Sequence, residues 1–148
     1  MKTWHGIGAG MLLLVALTGC SAAAEPNPDE VSDWIDSWDD QIPNSIGVLA
    51  GMATTPSNAQ PGDGVSMSEL DAVDASTIEF SCFGEETMSV DYTVETGPTA
   101  MNRIDEDLVC DDSPHVLSRD VVGITEVTAN GISPTGLGAW AVVVREKK

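Results

Sequence analysis

From about residue 65 onward, apolar and polar residues alternate along the chain with a period of two. The segments 78–82 and 88–94 place apolar side chains at every second position, with serine, threonine and acidic residues between them. Such alternation is typical of strands that bury one face. Four further strands are predicted at Ile104–Cys110, His115–Val122, Ile124–Ala129 and Leu137–Val144. This series predicts a mainly β fold, an antiparallel, jelly-roll-like β-sandwich over residues 65–145.

Two details of the pattern predict how the strands are arranged. Leu137–Val144 is apolar at both parities, which indicates a central strand covered on both faces. Turns are predicted where glycine or short polar residues interrupt the alternation, at Gly84–Glu86, Asp111–Pro114 and Asn130-Gly131.

Residues 28–43 show a helical period instead. Five apolar residues recur at i, i+3, i+4, i+7 and i+11: Val31, Trp34, Ile35, Trp38 and Ile42. They predict one N-terminal amphipathic helix, with Asn27 as its N-cap and Pro43 at its end. Trp34 and Trp38 would either anchor this helix to the core or form an exposed stripe that docks another protein.

The segment 44–64 is predicted to be a linker or loop region. Thr, Ser, Asn, Pro and Gly dominate its second half, as is typical of loops. Its first half contains an apolar run, Ile46–Met52, that Gly47 and Gly51 interrupt. The pattern leaves open whether this run is a helix or a strand.

The first twenty residues have the layout of a secretory signal. Lys2 precedes an apolar run from Ile7 to Leu17, which is too short for the roughly 20 residues that span a bilayer. The ending Leu17-Thr18-Gly19-Cys20 resembles the lipobox of bacterial lipoproteins. The resemblance implies that residues 1–19 are a signal peptide, that Cys20 is lipidated, and that residues 20–27 form a tether.

This anchor would hold the domain at the outer face of a bacterial cytoplasmic membrane. Two or more acyl chains make such an anchor stable. The alternative is secretion as a soluble protein, because Ala22-Ala23-Ala24 also fits an ordinary signal-peptidase site.

The chain is strongly acidic, with 24 Asp and Glu against 6 Lys and Arg and a formal charge of −18. A protein this negative repels phosphate backbones, so nucleic acid is not expected as a partner.

Two cysteines, Cys82 and Cys110, remain once Cys20 is assigned to the anchor. Outside the cytoplasm they are expected to form a disulfide. Free buried thiols are the alternative; a metal site has less support, because the chain has no C-x-x-C motif or paired histidines.

Three stretches resemble small lipoproteins of actinobacterial type, whose function is not characterised, and more loosely jelly-roll carbohydrate-binding modules. The stretches are Cys82-Phe83-Gly84, Cys110–Val116 and Gly138–Val143. The resemblance implies a β-sandwich and carries over no site residues.

Catalytic motifs are absent from the sequence. It contains no G-x-S-x-G, H-E-x-x-H or P-loop motif. Ser113 and His115 would be the only serine–histidine pair after the signal, two residues apart at a turn. The chain is therefore expected not to be an enzyme. A small hydrolase remains as a third alternative, after the two binding functions given below.

Carboxylates cluster between residues 105 and 112. Ca²⁺ favours several hard oxygen ligands, so weak metal candidates are Asp105, Asp107, Asp111 and Asp112. The alternative is a solvated charge run that discourages edge-to-edge pairing of strands. No other cofactor is expected.

The sequence thus predicts a non-catalytic lipoprotein that binds another envelope protein or a glycan. A small acidic lipoprotein that binds Ca²⁺ or a solute is the alternative. Phe83 is the aromatic residue whose parity in its strand favours exposure, whereas Tyr92 and Trp140 are expected in the core. Solvent exposure of Trp34, Trp38, Phe83 and Trp140 would discriminate best, because a contiguous exposed patch among them marks a binding surface.

Overall fold

Eight antiparallel strands and one short helix make up the described part of the chain. The computed structural model describes residues 26–38, 40, 45–60, 63–68, 70–111 and 113–148. The elements are α1 (Pro28–Asp36), β1 (Gly47–Met52), β2 (Val65–Met67), β3 (Val73–Phe83), β4 (Thr87–Thr96), β5 (Thr99–Val109), β6 (His115–Ile124), β7 (Glu126–Ile132) and β8 (Ala139–Glu146). The predicted mainly β, antiparallel sandwich fold is confirmed. Cys20, its lipobox and Asp112 lie outside the described residues.

The strands form two four-stranded sheets. Sheet I has the order β1-β8-β3-β6, and sheet II has the order β2-β7-β4-β5. β8 is a central strand whose residues Ala139–Val144 are all buried, as predicted. Trp140, Val142 and Val144 belong to the core between the sheets, and α1 packs against β8. β5 and β6 each have one hydrogen-bonded neighbour and are therefore edge strands on opposite sheets.

The predicted linker at 44–64 is wrong in its first half, because Gly47–Met52 is strand β1 of sheet I. Its pairing with β8 runs from Gly47 opposite Val144 to Met52 opposite Ala139. The sandwich therefore begins before residue 65. Gly51 lies beside the indole ring of Trp140, and an added Cβ would be in ordinary van der Waals contact with that ring, 3.4 Å from Cζ2. A strand that contains two glycines gives little sequence signal, because glycines leave few side chains to show the alternation of a strand.

The predicted turn at Asn130-Gly131 is also wrong, because both residues lie within β7. Asn130 is buried, and its side-chain amide donates a hydrogen bond to Thr54 Oγ1 over 3.3 Å. Gly131 lies against Trp140, and an added Cβ would overlap the indole ring. This glycine therefore serves close packing inside the sandwich.

The helix is shorter than the predicted 28–43. α1 ends at Asp36, Ser37 is its C-cap, and Ser37 and Trp38 continue into a 3₁₀ turn. Its start agrees with the prediction, since the Asn27 side chain accepts a hydrogen bond from the Asp29 N–H over 3.1 Å. Ile42 and Pro43 lie outside the described residues.

The predicted disulfide is confirmed, and it joins the two sheets. Cys82 lies on β3 of sheet I, and Cys110 directly follows β5 of sheet II. Their Cα atoms are 4.9 Å apart. The bond therefore closes one end of the sandwich.

A buried hydrogen bond links the sheets farther along the sandwich, and its removal gives a first prediction. The Tyr92 hydroxyl on β4 donates to the Leu117 carbonyl on β6 over 3.1 Å. We expect Tyr92→Phe to lower the free energy of unfolding by about 1 kcal/mol, because a buried carbonyl loses its partner. Urea unfolding followed by fluorescence measures this, and a variant as stable as wild type would show that water satisfies the carbonyl.

Candidate functional site

The three aromatic residues singled out in the sequence meet in one place. The Trp34 ring stacks on the Phe83 ring, with centroids 5.8 Å apart and planes 16° apart. The Trp38 ring meets Trp34 edge-on at 5.4 Å and 71°. We call these three residues the aromatic cluster. All three are half-buried, whereas Tyr92 and Trp140 are buried in the core as predicted.

The cluster forms because α1 lies on the outer face of sheet I. Trp34 and Trp38 are four residues apart and therefore share one side of the helical segment. Phe83 is the last residue of β3, and its pairing with Ala139 places it on the face opposite the Cys82–Trp140 pair. Val31 is the buried helix residue, at 2% exposure, and fixes α1 to the sheet. The two tryptophans are thus neither fully buried nor fully exposed, and whether they dock another protein stays a prediction.

The turn that follows Phe83 packs against a residue that precedes the helix. Gly84 follows with a positive φ of 84°, which turns the chain at the end of β3. An added Cβ at this glycine would lie 2.9 Å from Pro26, the residue before the N-cap of α1. The entry to the helix therefore packs against the end of β3, which brings Trp34 over Phe83.

A small hollow of about 200 Å³ opens beside the cluster. Trp34, Phe83, Ser81, Asp111 and the Cys82–Cys110 disulfide line it. The indole N–H of Trp38 is buried and has no hydrogen-bond acceptor among the described residues. Aromatic faces next to a hydroxyl and a carboxylate can both stack on and hydrogen-bond to a polar ligand.

The described acidic candidates do not converge. Asp105 and Asp107 lie on β5, where the register shifts between the Met88 and Val90 pairs. Asp111 follows this strand, and its carboxylate accepts a hydrogen bond from the Ser113 N–H over 2.8 Å. Within the described ranges, no three His, Cys, Asp or Glu side chains lie close enough to hold a metal ion. Closeness in sequence therefore does not gather the carboxylates of the described candidates into one ligand group.

His115 and the two described cysteines, which were considered for nucleophilic chemistry, make contacts within the fold. Nε2 of His115 lies 2.7 Å from the Val109 carbonyl oxygen, a contact that joins the end of β5 to the start of β6. Cys82 and Cys110 are bonded to each other. The His115 contact and the disulfide both join neighbouring strand ends, so these side chains serve the fold.

A larger concavity that the sequence did not predict lies between the edge strands β5 and β6. This β5–β6 cleft has a volume of about 700 Å³. Apolar and basic side chains from both sheets contribute to its lining, among them Val94, Met101, Arg103, Leu117, Arg119 and Val121. Arg103 and Arg119 make no ion pair with any described residue.

A weak sequence signal for this cleft was available. Only six residues of the chain are Lys or Arg, so Arg119 within a predicted strand and Arg103 directly before another are unusual in a protein of charge −18. No periodicity connects Arg103 with Arg119, because their strands belong to different sheets and do not pair. Only the tertiary structure brings both to one opening.

No helix among the described residues is both long and apolar enough to cross a membrane. In comparisons with family models, curated proteins and solved structures, nothing matches this chain.

Proposed function

We propose that this chain is a non-catalytic binding module of the bacterial cell envelope. In this proposal a lipid on Cys20 holds it at the outer face of the cytoplasmic membrane, and the aromatic cluster binds another envelope component, a protein or a glycan. The observation that carries the proposal is the joining of Trp34, Trp38 and Phe83 into one half-exposed cluster.

Half-exposed, stacked rings are an efficient contact surface. Aromatic side chains offer a large rigid area, and they are enriched among the residues that dominate binding energies. The cluster draws on two elements, α1 and the end of β3, so the tertiary structure preorganises it. The hollow beside it adds Ser81 and Asp111 as hydrogen-bonding groups.

The non-catalytic part of the proposal is supported by how the reactive side chains are used. The imidazole of His115 contacts the Val109 carbonyl, and the two described cysteines form the disulfide. A nucleophile and its base must instead lie within hydrogen-bond reach of each other.

Phe83→Ala tests the proposal. We expect it to weaken binding by about tenfold or more, because it removes the ring on which Trp34 stacks. Two assays run on the full lipidated chain: a glycan array, and a pull-down from envelope extract with identification of the captured proteins. Ile104→Ala is the matched control, since Ile104 is an exposed apolar residue on β5, away from the cluster.

The two assays also separate the two kinds of partner. A glycan partner gives array hits that Phe83→Ala and Trp34→Ala remove. A protein partner gives a captured band that the same variants lose. Ligands retained by both cluster variants, with melting temperatures showing folded protein, would contradict the proposal.

One observation favours a second candidate, binding of a small solute. The β5–β6 cleft, at about 700 Å³, falls in the range of roughly 300–1,000 Å³ that is typical of small-molecule sites. The Ca²⁺ form of this alternative has less support, because the described candidates Asp105, Asp107 and Asp111 do not form a ligand group.

A further inference from the structure

The β5–β6 cleft opens directly onto the hydrophobic core. Val94 and Leu117 line it and are core residues, while Met101 and Val121 are partly buried against the same core. Two further lining residues are exposed apolar side chains, Val116 at 41% and Val122 at 62%. An apolar group in the cleft would therefore extend the core between the two sheets and remove exposed valine surface from water.

The charges of the cleft are complementary to an anion. Arg103 comes from sheet II and Arg119 from sheet I, and neither has an ion-pair partner among the described residues. The acidic residue of the lining, Asp120, forms an exposed ion pair with the Lys147 ammonium group at 3.0 Å, which partly offsets its charge. Guanidinium groups bind carboxylates and phosphates through paired N–H donors.

The β6 edge of the cleft does not favour an extended peptide. β6 has positive φ angles at Asp120 and Gly123, and its pairing with β3 shifts register between Ile78 and Glu79. Such an irregular edge interrupts the row of backbone groups that an added strand would need. A compact molecule therefore fits this cleft better than an added strand.

We propose that the β5–β6 cleft binds a small amphipathic anion, an apolar body ending in a single carboxylate or phosphate. The apolar body lies on Val94, Met101 and Leu117, and the anionic group is held by Arg103 and Arg119. This site is separate from the aromatic cluster, so it stands or falls independently of binding at that cluster; it rests on the small-solute candidate and names the ligand class.

The test uses three probes that share one apolar body: decanoate, decyl phosphate and 1-decanol. The protein is the oxidised full-length chain carrying Cys20→Ser, which removes the predicted lipidation site. Calorimetry gives the affinities, and amide chemical shifts give the location. We expect at least one of the two anions to bind about tenfold or more tightly than 1-decanol, because charge-assisted hydrogen bonds are lost with the alcohol. The anion that binds more tightly identifies the headgroup.

Three variants locate the charge effect. Arg103→Gln with Arg119→Gln is expected to weaken anion binding by about tenfold or more and to leave 1-decanol unchanged. Replacing both arginines with lysine restores part of the affinity. Lys148→Gln is the control for loss of positive charge as such, because it removes one positive charge, against two in the double variant, from an exposed residue that does not line the cleft.

Several results would overturn the proposal. Equal affinity for 1-decanol and both anions would exclude recognition of charge. Shifts outside the cleft, or an acidic peptide without an apolar body that binds as tightly as decanoate, would exclude the ligand class. Unchanged anion affinity in the folded double variant, with new self-association, would show that the arginines only protect the strand edges.

Discussion

Trp140→Ala is expected to lower the free energy of unfolding by about 3–5 kcal/mol, the range for removing a large buried aromatic side chain. Trp140 is 1% exposed and is among the largest fully buried side chains. Its indole N–H donates to the Met52 carbonyl over 3.1 Å, which ties β8 to the end of β1. The variant therefore loses core packing and a hydrogen bond at once. Urea unfolding followed by far-UV circular dichroism measures the change.

Gly131 supplies the control for this prediction. In the wild type, Gly131→Ala forces a Cβ into the indole ring, so we expect a loss of about 1–3 kcal/mol from overpacking. In the Trp140→Ala background the same change meets a cavity and should cost much less, giving a clear coupling in a double-mutant cycle. Additive effects would contradict the close packing of Gly131 against Trp140.

Removal of the disulfide is the second large effect. We expect Cys82→Ala with Cys110→Ala to lower the free energy of unfolding by about 3–4 kcal/mol. This follows in the chain-entropy model from a bond between residues 28 positions apart. The bond also joins β3 of sheet I to the end of β5 in sheet II, so its loss should loosen the end of the sandwich where Trp34 stacks on Phe83.

A reducing agent provides the matched measurement. Dithiothreitol should lower the melting temperature of the wild type toward that of the double variant and leave the double variant unchanged. A wild type equally stable with and without the reductant, once a thiol assay shows full reduction, would contradict the predicted contribution of the bond.

The sequence pattern predicted the residues of the aromatic cluster but not their contact with one another. A helical period selected Trp34 and Trp38, and a strand period selected Phe83 as the aromatic turned away from the core. Each period identifies a face of one element only. That these faces meet depends on the packing of α1 against sheet I, which no local pattern encodes.

The cleft and the misassigned segments have a related explanation. β1 contains two glycines and pairs with β8 from far along the chain, so its strand conformation depends on its partner. Asn130-Gly131 has the composition of a turn. It lies within β7 because Gly131 packs closely against Trp140 and the Asn130 side chain hydrogen-bonds to Thr54. In the sequence, Arg103 and Arg119 look like isolated surface charges. Packing of the two sheets brings their edge strands, β5 and β6, to one cleft.

By itself, the sequence determined the mainly β class, the position of most strands, the start of the helix and the pairing of Cys82 with Cys110. The strands and the helix start follow from periodicity and capping, which act over a few residues. The disulfide follows from the number of cysteines, because two cysteines allow one pairing. Only the tertiary structure decided the partner of β1, the inward packing of Gly131, the meeting of the three rings and the opening between β5 and β6. These depend on contacts between residues distant in sequence, whose energies appear only when the two sheets pack.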